Sequence, residues 1–211
     1  MVAYLCIAVG LSFLVVIAVM LWRSVFSRSG RPCPVWLIGL LEMNNPFSDI
    51  YRPEVIIAHS GIGPGMSVLD VGCGGGRVTV PAARKAGPKG RVVAVDMQQG
   101  MIRRAEDRAK REGLTNIRFM QAEAGRAQLG GGAFDIALLV TVLGEIPERS
   151  AALSVIHDAL RPGGILSVTE TIFDPHFQNR DKVLSLAGAA GFREKEFFGN
   201  RFVFTINLEK A

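Results

Sequence analysis

A chain of 211 residues, 49% hydrophobic and 20% charged with a formal net charge of +5, can bury one sizeable core and is not disordered as a whole. Three scattered cysteines (Cys6, Cys33 and Cys73) are too few for a disulfide framework and fit a reducing compartment. No CxxC or Cys/His spacing points to a metal, so none is expected.

The first element is "VAYLCIAVGLSFLVVIAVMLW", Val2 to Trp22, which runs 21 residues without a charge. As a helix rising ~1.5 Å per residue it would cover ~30 Å, the thickness of a bilayer core. No basic stretch precedes it and no A-x-A site follows, so it reads as a retained transmembrane anchor over residues 1–24, not a cleaved signal. Tyr4 and Trp22 stand at its two ends, where aromatic rings favour the headgroup level, and Arg23, Arg28 and Arg31 follow it. The expected localisation is therefore a single-pass membrane protein with its catalytic domain on the cytoplasmic side. Ala8 and Ser12 have the small-xxx-small spacing that lets two such helices approach, so a homodimer through the anchor is admitted.

Residues 25–58 read as a juxtamembrane linker, punctuated by Gly, Arg-Pro and Cys-Pro, with a helix from about Val35 to Met43. Trp36, Leu37, Leu40 and Leu41 crowd one side of that helix and either pack on the domain or lie in the membrane interface. With no long inserted lid elsewhere, this stretch, including Phe47, Tyr51 and Arg52, is expected to roof the pocket together with the short "TIFDPHFQNRDKV" loop.

From residue 59 to 211 strands and helices alternate. Apolar, Val/Ile/Leu-rich runs at Ser67–Val71, Arg91–Asp96, Ile117–Gln121, Phe134–Val140 and Gly164–Glu170 read as strands, with helices over Gln98–Glu112 and Arg149–Leu160, the latter stopped by "RPGG". That order predicts an α/β domain whose mostly parallel sheet has helices on both faces. Gly199-Asn200 between "REKEFF" and "RFVFTINLE" predicts a C-terminal antiparallel hairpin.

In such sheets ligands bind beyond the carboxyl ends of the strands, where "VLDVGCGGGR" falls. Its glycines fit neither G-x-G-x-x-G nor the Gly-Lys-Ser/Thr end of a phosphate loop. They form Asp70-Val-Gly72-Cys73-Gly74-Gly-Gly76, an acid two residues before G-x-G-x-G. A carboxylate there repels pyrophosphate and suits an ammonium, while backbone N–H groups of the loop are expected to be open to a carboxylate. S-adenosylmethionine carries both groups. Asp96 ends the second strand about 20 residues past the glycines, where a carboxylate can take ribose hydroxyls, and Glu123 follows the third strand, within reach of an adenine amino group.

The series VLDVGCGGGR, VVAVDMQQGMIRRAEDRAKREGLTNIRF, QAEA, FDIALLVTVLGEIP and LRPGGILSVTE resembles the class I S-adenosylmethionine-dependent methyltransferases, in particular the small-molecule branch that includes ubiquinone and menaquinone C-methyltransferases. The resemblance covers residues 55–211 and implies a Rossmann-like sheet of seven strands. It also implies that Asp70, Gly72 and Gly74, with Cys73 and Gly76 in the same loop, hold the methionine end, and that Asp96 and Met97 hold the ribose and cover the adenine. Ala122 and Glu123 would line the adenine, and Thr141 to Glu145 would lie where donor and acceptor meet. Many relatives have a histidine after the fourth strand. This chain reads Val140-Thr-Val-Leu-Gly-Glu145, which leaves Glu145 as the nearest ionisable group and a candidate base, with Glu170 as a second candidate facing the acceptor.

Other residues have plainer readings. Cys73 reads as a small loop filler, His157 as a surface residue, His176 as a pocket residue at most, and "RRAEDRAKR" as a solvated helix face, so no nucleic acid is expected. The basic excess is expected to meet anionic membrane lipid. The expected activity is methylation of a lipophilic small molecule or lipid headgroup. A soluble thiol or metabolite acceptor and a non-catalytic binding module are the alternatives.

Overall fold

The computed structural model describes residues 52–211. The anchor Val2–Trp22, the helix over Val35–Met43, and Phe47 and Tyr51 lie outside the described residues. Among the described residues no helix is long and apolar enough to cross a membrane.

The elements run α1 (Pro53–His59), β1 (Ser67–Val71), α2 (Thr79–Ala86), β2 (Arg91–Asp96), α3 (Gln99–Arg111), β3 (Ile117–Gln121) and β4 (Phe134–Val140). They continue with α4 (Arg149–Ala159), β5 (Leu160–Thr171), α5 (Arg180–Ala189), β6 (Phe192–Gly199) and β7 (Val203–Lys210). One seven-stranded sheet has the order β3-β2-β1-β4-β5-β7-β6, with β1 to β5 parallel and β7 antiparallel between β5 and β6. The predicted mixed sheet with its closing hairpin is what forms.

The central strands are covered on both faces, which is why they read as continuous apolar runs. Alternate residues point to opposite faces. Val68, Ile136 and Leu138 pack against Ile56 and Ile57 of α1 and Ala82, Ala83 and Ala86 of α2. Leu69, Val71, Ala137 and Leu139 pack on the other side against Leu153 and Ile156 of α4 and Val183 and Ala187 of α5. Because Ile56 and Ile57 are buried in that core, the packed domain includes α1 and reaches back beyond residue 59.

β5 is longer than its sequence suggests. Leu160 already pairs with Phe134, the chain makes a bulge through Arg161–Gly164, and pairing resumes at Ile165 with Ile136. "RPGG" therefore ends the helix but interrupts the strand instead of preceding it. The chain switches direction between β1 and β4, so the carboxyl ends of β1, β2 and β4 border the crevice where this architecture takes ligands.

Candidate cofactor and acceptor site

β1 delivers the glycine loop to that crevice. Gly72 has φ +72°, and a Cβ there would stand 2.5 Å from Val142 Cγ2, so only glycine lets the loop pass the segment after β4. Gly76, at φ +79°, would bring a Cβ within 3.0 Å of the Ala105 Cβ, so it sets how closely α3 approaches. The expectation of open loop N–H groups is corrected for most of the loop. The Gly72 and Cys73 amides both donate to the Val95 carbonyl (2.7 and 3.0 Å), Gly74 donates to Asp96 Oδ2 (3.0 Å), and Gly76 donates to the Cys73 carbonyl (3.0 Å). The physical reason is that a loop this rich in glycine needs internal bonds to hold one shape.

Asp70, only 2% exposed, accepts from the Thr79 hydroxyl at the start of α2 (Oγ1 to Oδ2, 2.6 Å). Burial raises its pKa from an ordinary 3.8 to about 6, the Thr79 bond opposes that rise, and the nearby Asp96 charge adds to it. Asp96 is buried too, and burial also raises it, against the donation it receives from the Gln98 amide (2.8 Å, to Oδ1) and the Gly74 amide. The two amides occupy different oxygens. An ionised carboxylate has lone pairs to spare at each, so ribose hydroxyls can be accepted without displacing the loop. Cys73 is buried with Sγ 3.7 Å from the Gly74 carbonyl, and burial beside Asp70 and Asp96 pushes its thiol well up, which keeps it protonated and makes it a filler.

Met97 follows β2 with half of its surface exposed (50%), so an apolar side chain stands open at the carboxyl end of that strand. Ala122 is tied back by its amide to the Asp96 carbonyl (3.1 Å), which brings the turn after β3 beside Asp96. Glu123 points outward and pairs with Arg126 at 3.4 Å, so its carboxylate is solvated.

Beyond β4 the backbone is forced. Thr141 has φ +52°, a left-handed conformation that costs a β-branched residue about 1–3 kcal/mol and signals a site where the surrounding structure dictates the turn. Its amide donates to the Thr169 carbonyl (2.8 Å). Arg149 then straps the loop, with Nε on the Leu143 carbonyl (3.0 Å) and Nη2 on the Gly144 carbonyl (2.7 Å). A Cβ at Gly144 would overlap the His176 carbonyl oxygen, so the loop after β4 and the loop after β5 touch backbone to backbone.

That contact gathers acids. His176 Nδ1 lies 3.9 Å from Glu145 Oε1 and 3.8 Å from Asp174 Oδ1. Glu170 is 1% exposed, with Oε2 accepting from the Gln178 amide (3.1 Å) and Oε1 without a hydrogen-bond partner among the described residues. Burial raises its pKa from 4.5 to about 8. The Gln178 bond opposes the shift, the charges of Asp174 and Glu145 add to it, and Arg149 subtracts from it. At neutral pH Glu170 is therefore a neutral carboxyl that can donate a proton, whereas Asp70 is ionised.

A family model described as a methyltransferase domain matches residues 62–195. The chain belongs to the methyltransferase domain family. It is 32% identical over 115 residues, 54% of its length and 46% of the relative's, to the ubiquinone/menaquinone biosynthesis C-methyltransferase UbiE of Marinomonas sp.. The chain spans about half the length of the curated relatives it matches. The fold is that of an S-adenosylmethionine-dependent methyltransferase from Aquifex aeolicus, with a TM-score of 0.76 at 21% identity over 85% of this chain and 100% of that one. It is shared by the 1,6-didemethyltoxoflavin-N1-methyltransferase of Burkholderia thailandensis, whose structure holds S-adenosylhomocysteine (TM-score 0.61, 23% identity, 77% and 79% coverage).

The residues of this methyltransferase domain fit such a cofactor. The left-handed Gly72 makes a cradle that a Cβ would close, Asp96 keeps acceptor capacity on two fixed oxygens, and Met97 offers an exposed face beside them. Sequence reasoning did not find Thr79 or Arg149, and it had Val142 and Asp174 only as members of the stretches expected to border the acceptor. Nothing local marks Thr79 or Arg149, because they matter through bonds to groups that only the folded chain brings near. His157, expected as a surface residue, keeps 24% of its side chain exposed while its ring packs edge-on to Phe192 at 5.2 Å.

Proposed function

We propose that the protein is an S-adenosylmethionine-dependent methyltransferase that modifies a lipophilic small molecule or lipid headgroup at the cytoplasmic face of a membrane. The observation that carries the methyl-transfer reading is the pair of buried acids, Asp70 and Asp96, fixed around the glycine loop inside a methyltransferase domain. Asp70 attracts the ammonium of the cofactor and Asp96 takes its ribose hydroxyls. Met97 and Ala122 flank the adenine, with Glu123 at its outer edge. The cofactor supplies a methyl group on an activated sulfonium, which leaves in an in-line displacement. The chain's own task is to orient and to exclude water.

Glu145 and Glu170 serve the acceptor side. Glu145, beside His176, takes a proton from an acceptor that must lose one. Glu170, neutral, donates a hydrogen bond and keeps a second negative charge out of that end. A lipophilic acceptor is supported by the uncharged Val2–Trp22 segment and its trailing arginines, and by a relative named for quinone biosynthesis.

The test has two readouts. Asp96→Ala is expected to weaken S-adenosylmethionine binding about 100-fold or more in calorimetry, because it removes the acceptor for the ribose and the anchor of the Gly74 amide. Unchanged binding defeats the cofactor assignment. Incubation with labelled donor and native membrane extract, with and without residues 1–28, then identifies the product by mass spectrometry. A soluble acceptor is methylated equally by both forms; a lipid acceptor loses rate with the shortened one.

A further inference from the structure

Among the described residues, large exposed apolar side chains lie at one end of the domain. These are Met97, Phe173, Phe197 and Phe202. Met97 follows β2, Phe173 follows β5, Phe202 lies in the turn from β6 to β7, and Phe197 is near the hairpin end of β6. All four are at or beside the ligand end of the sheet. The loops at the opposite end, around Gly87–Gly90, Gly113–Asn116 and Gly130–Ala133, expose none.

Phe173 and Phe202 form the outer part of this group, 53% and 44% exposed. They are held together, since the Ile172 amide donates to the Phe202 carbonyl at 2.7 Å. The turn that presents Phe202 is rigid. Asn200 Oδ1 accepts from the Phe202 and Val203 amides (2.9 and 3.1 Å), so the ring is displayed by a fixed scaffold and not by a loose loop. Arg201 lays its guanidinium over the Phe202 ring, 4.6 Å from the centroid, and makes no ion pair among the described residues.

We infer that this end of the domain rests on the lipid surface, with Phe173 and Phe202 dipping into the interface and Arg201 meeting lipid phosphates, so that the acceptor enters the site from the bilayer. The inference deepens the membrane reading proposed above and rests on it. Exposed aromatic rings next to a cation are the chemistry of the headgroup level, where the ring reaches the acyl boundary and the charge stays with phosphate. The rival cover is the chain's own segment 36–51, with Trp36, Leu37, Leu40 and Leu41. That segment carries Glu42 and Asp49, so it also holds partners for Arg201, and the bilayer is favoured by the uncharged Val2–Trp22 run and the arginines that follow it, which would hold the domain against lipid. A bilayer leaves the guanidinium paired and hydrated.

The test uses the full chain reconstituted with vesicles of phosphatidylcholine and phosphatidylglycerol. The photoreactive amino acid p-benzoylphenylalanine is placed at position 173, 202 or 89. Lys89 is exposed in the loop between α2 and β2, at the opposite end. Irradiation followed by mass spectrometry is expected to give lipid adducts at 173 and 202 in at least about ten-fold excess over 89. Adducts from 173 and 202 into residues 36–51, or no excess over position 89, overturn the inference. An alkaline carbonate wash of parallel samples reads the anchor separately. A chain released by the wash defeats the tethered reading, whereas a chain that resists it while showing no lipid excess at 173 and 202 defeats only this orientation.

Discussion

Two halves of the same sheet end treat buried acid in opposite ways. At the β1–β2 end, Asp70 receives a 2.6 Å hydroxyl bond and Asp96 two backbone amides. At the β4–β5 end, Glu170 receives one amide at 3.1 Å and faces Asp174 and Glu145. Asp70 and Glu170 are equally inaccessible, yet their pKa values settle at about 6 and about 8. Burial sets the size of the penalty, and the donors and neighbouring charges decide whether the group stays ionised. The result at neutral pH is an anionic Asp70 under the glycine loop, where the proposed function seats an ammonium group, beside a half that holds its deepest carboxyl neutral.

The acceptor half also depends on backbone contact in a way the cofactor half does not, and Gly144 breaks it most directly. Gly144→Ala must push apart the loops after β4 and β5, because the new Cβ overlaps the His176 carbonyl and lies 2.7 Å from the His176 Cβ. Overpacking of this kind costs roughly 1–3 kcal/mol, read as a lower midpoint in urea unfolding. Gly188→Ala on α5, where an added Cβ meets nothing within 4 Å, is the control and should be neutral or mildly stabilising. Equal midpoints for the two variants would mean that the loop contact is not tight.

Glu170→Gln tests the charge side of the same half. The folded chain holds the Glu170 proton up to about pH 8, while the unfolded chain releases it near 4.5. Across that window the folded state binds the extra proton, so the group's contribution to stability falls as pH rises and levels off above the folded value. Each pH unit in the window weighs at most about 1.4 kcal/mol. The variant should match the wild type in acid and melt increasingly above it toward pH 8. A constant gap across the window would show that Glu170 titrates normally.

The cofactor half was also the legible half. β1, β2 and β4 are legible because strands covered on both faces are largely apolar runs, whereas β3, at the sheet edge with no buried residue, is marked only by its short run after Asn116. Asp70, Asp96 and the glycines stand out because the spacing of a turn is a local property. α1 was hidden by its Arg-Pro setting, although Ile56 and Ile57 are core residues. β5 was cut short at "RPGG" because a bulge inside a paired strand looks the same in sequence as a turn before one. In the acceptor half Glu145 and Glu170 were named from position alone. Their shared environment, with His176 and Asp174 brought in by the next loop and Arg149 fastening the first, is tertiary and leaves no periodic trace.

The smallest expected effect is the most specific to the charge argument. Thr79→Val keeps the shape of the side chain and removes the one hydroxyl bond that favours the ionised form of Asp70. A bond to a charged group is worth about 1.5–3 kcal/mol, so the pKa of Asp70 should climb from about 6 by at least about one pH unit. Affinity for a ligand bearing an ammonium is high above that pKa and falls below it. S-adenosylmethionine binding measured against pH should therefore show its midpoint moved upward in the variant, with weaker binding at neutral pH and recovery in mild alkali. Thr79→Ser, which restores a hydroxyl at the same place, should return the midpoint toward the wild-type value. Loss of affinity by the same factor at every pH would instead mean that Thr79 only packs the start of α2. In that case the ionised state of Asp70 would not be what draws the cofactor into this half of the site.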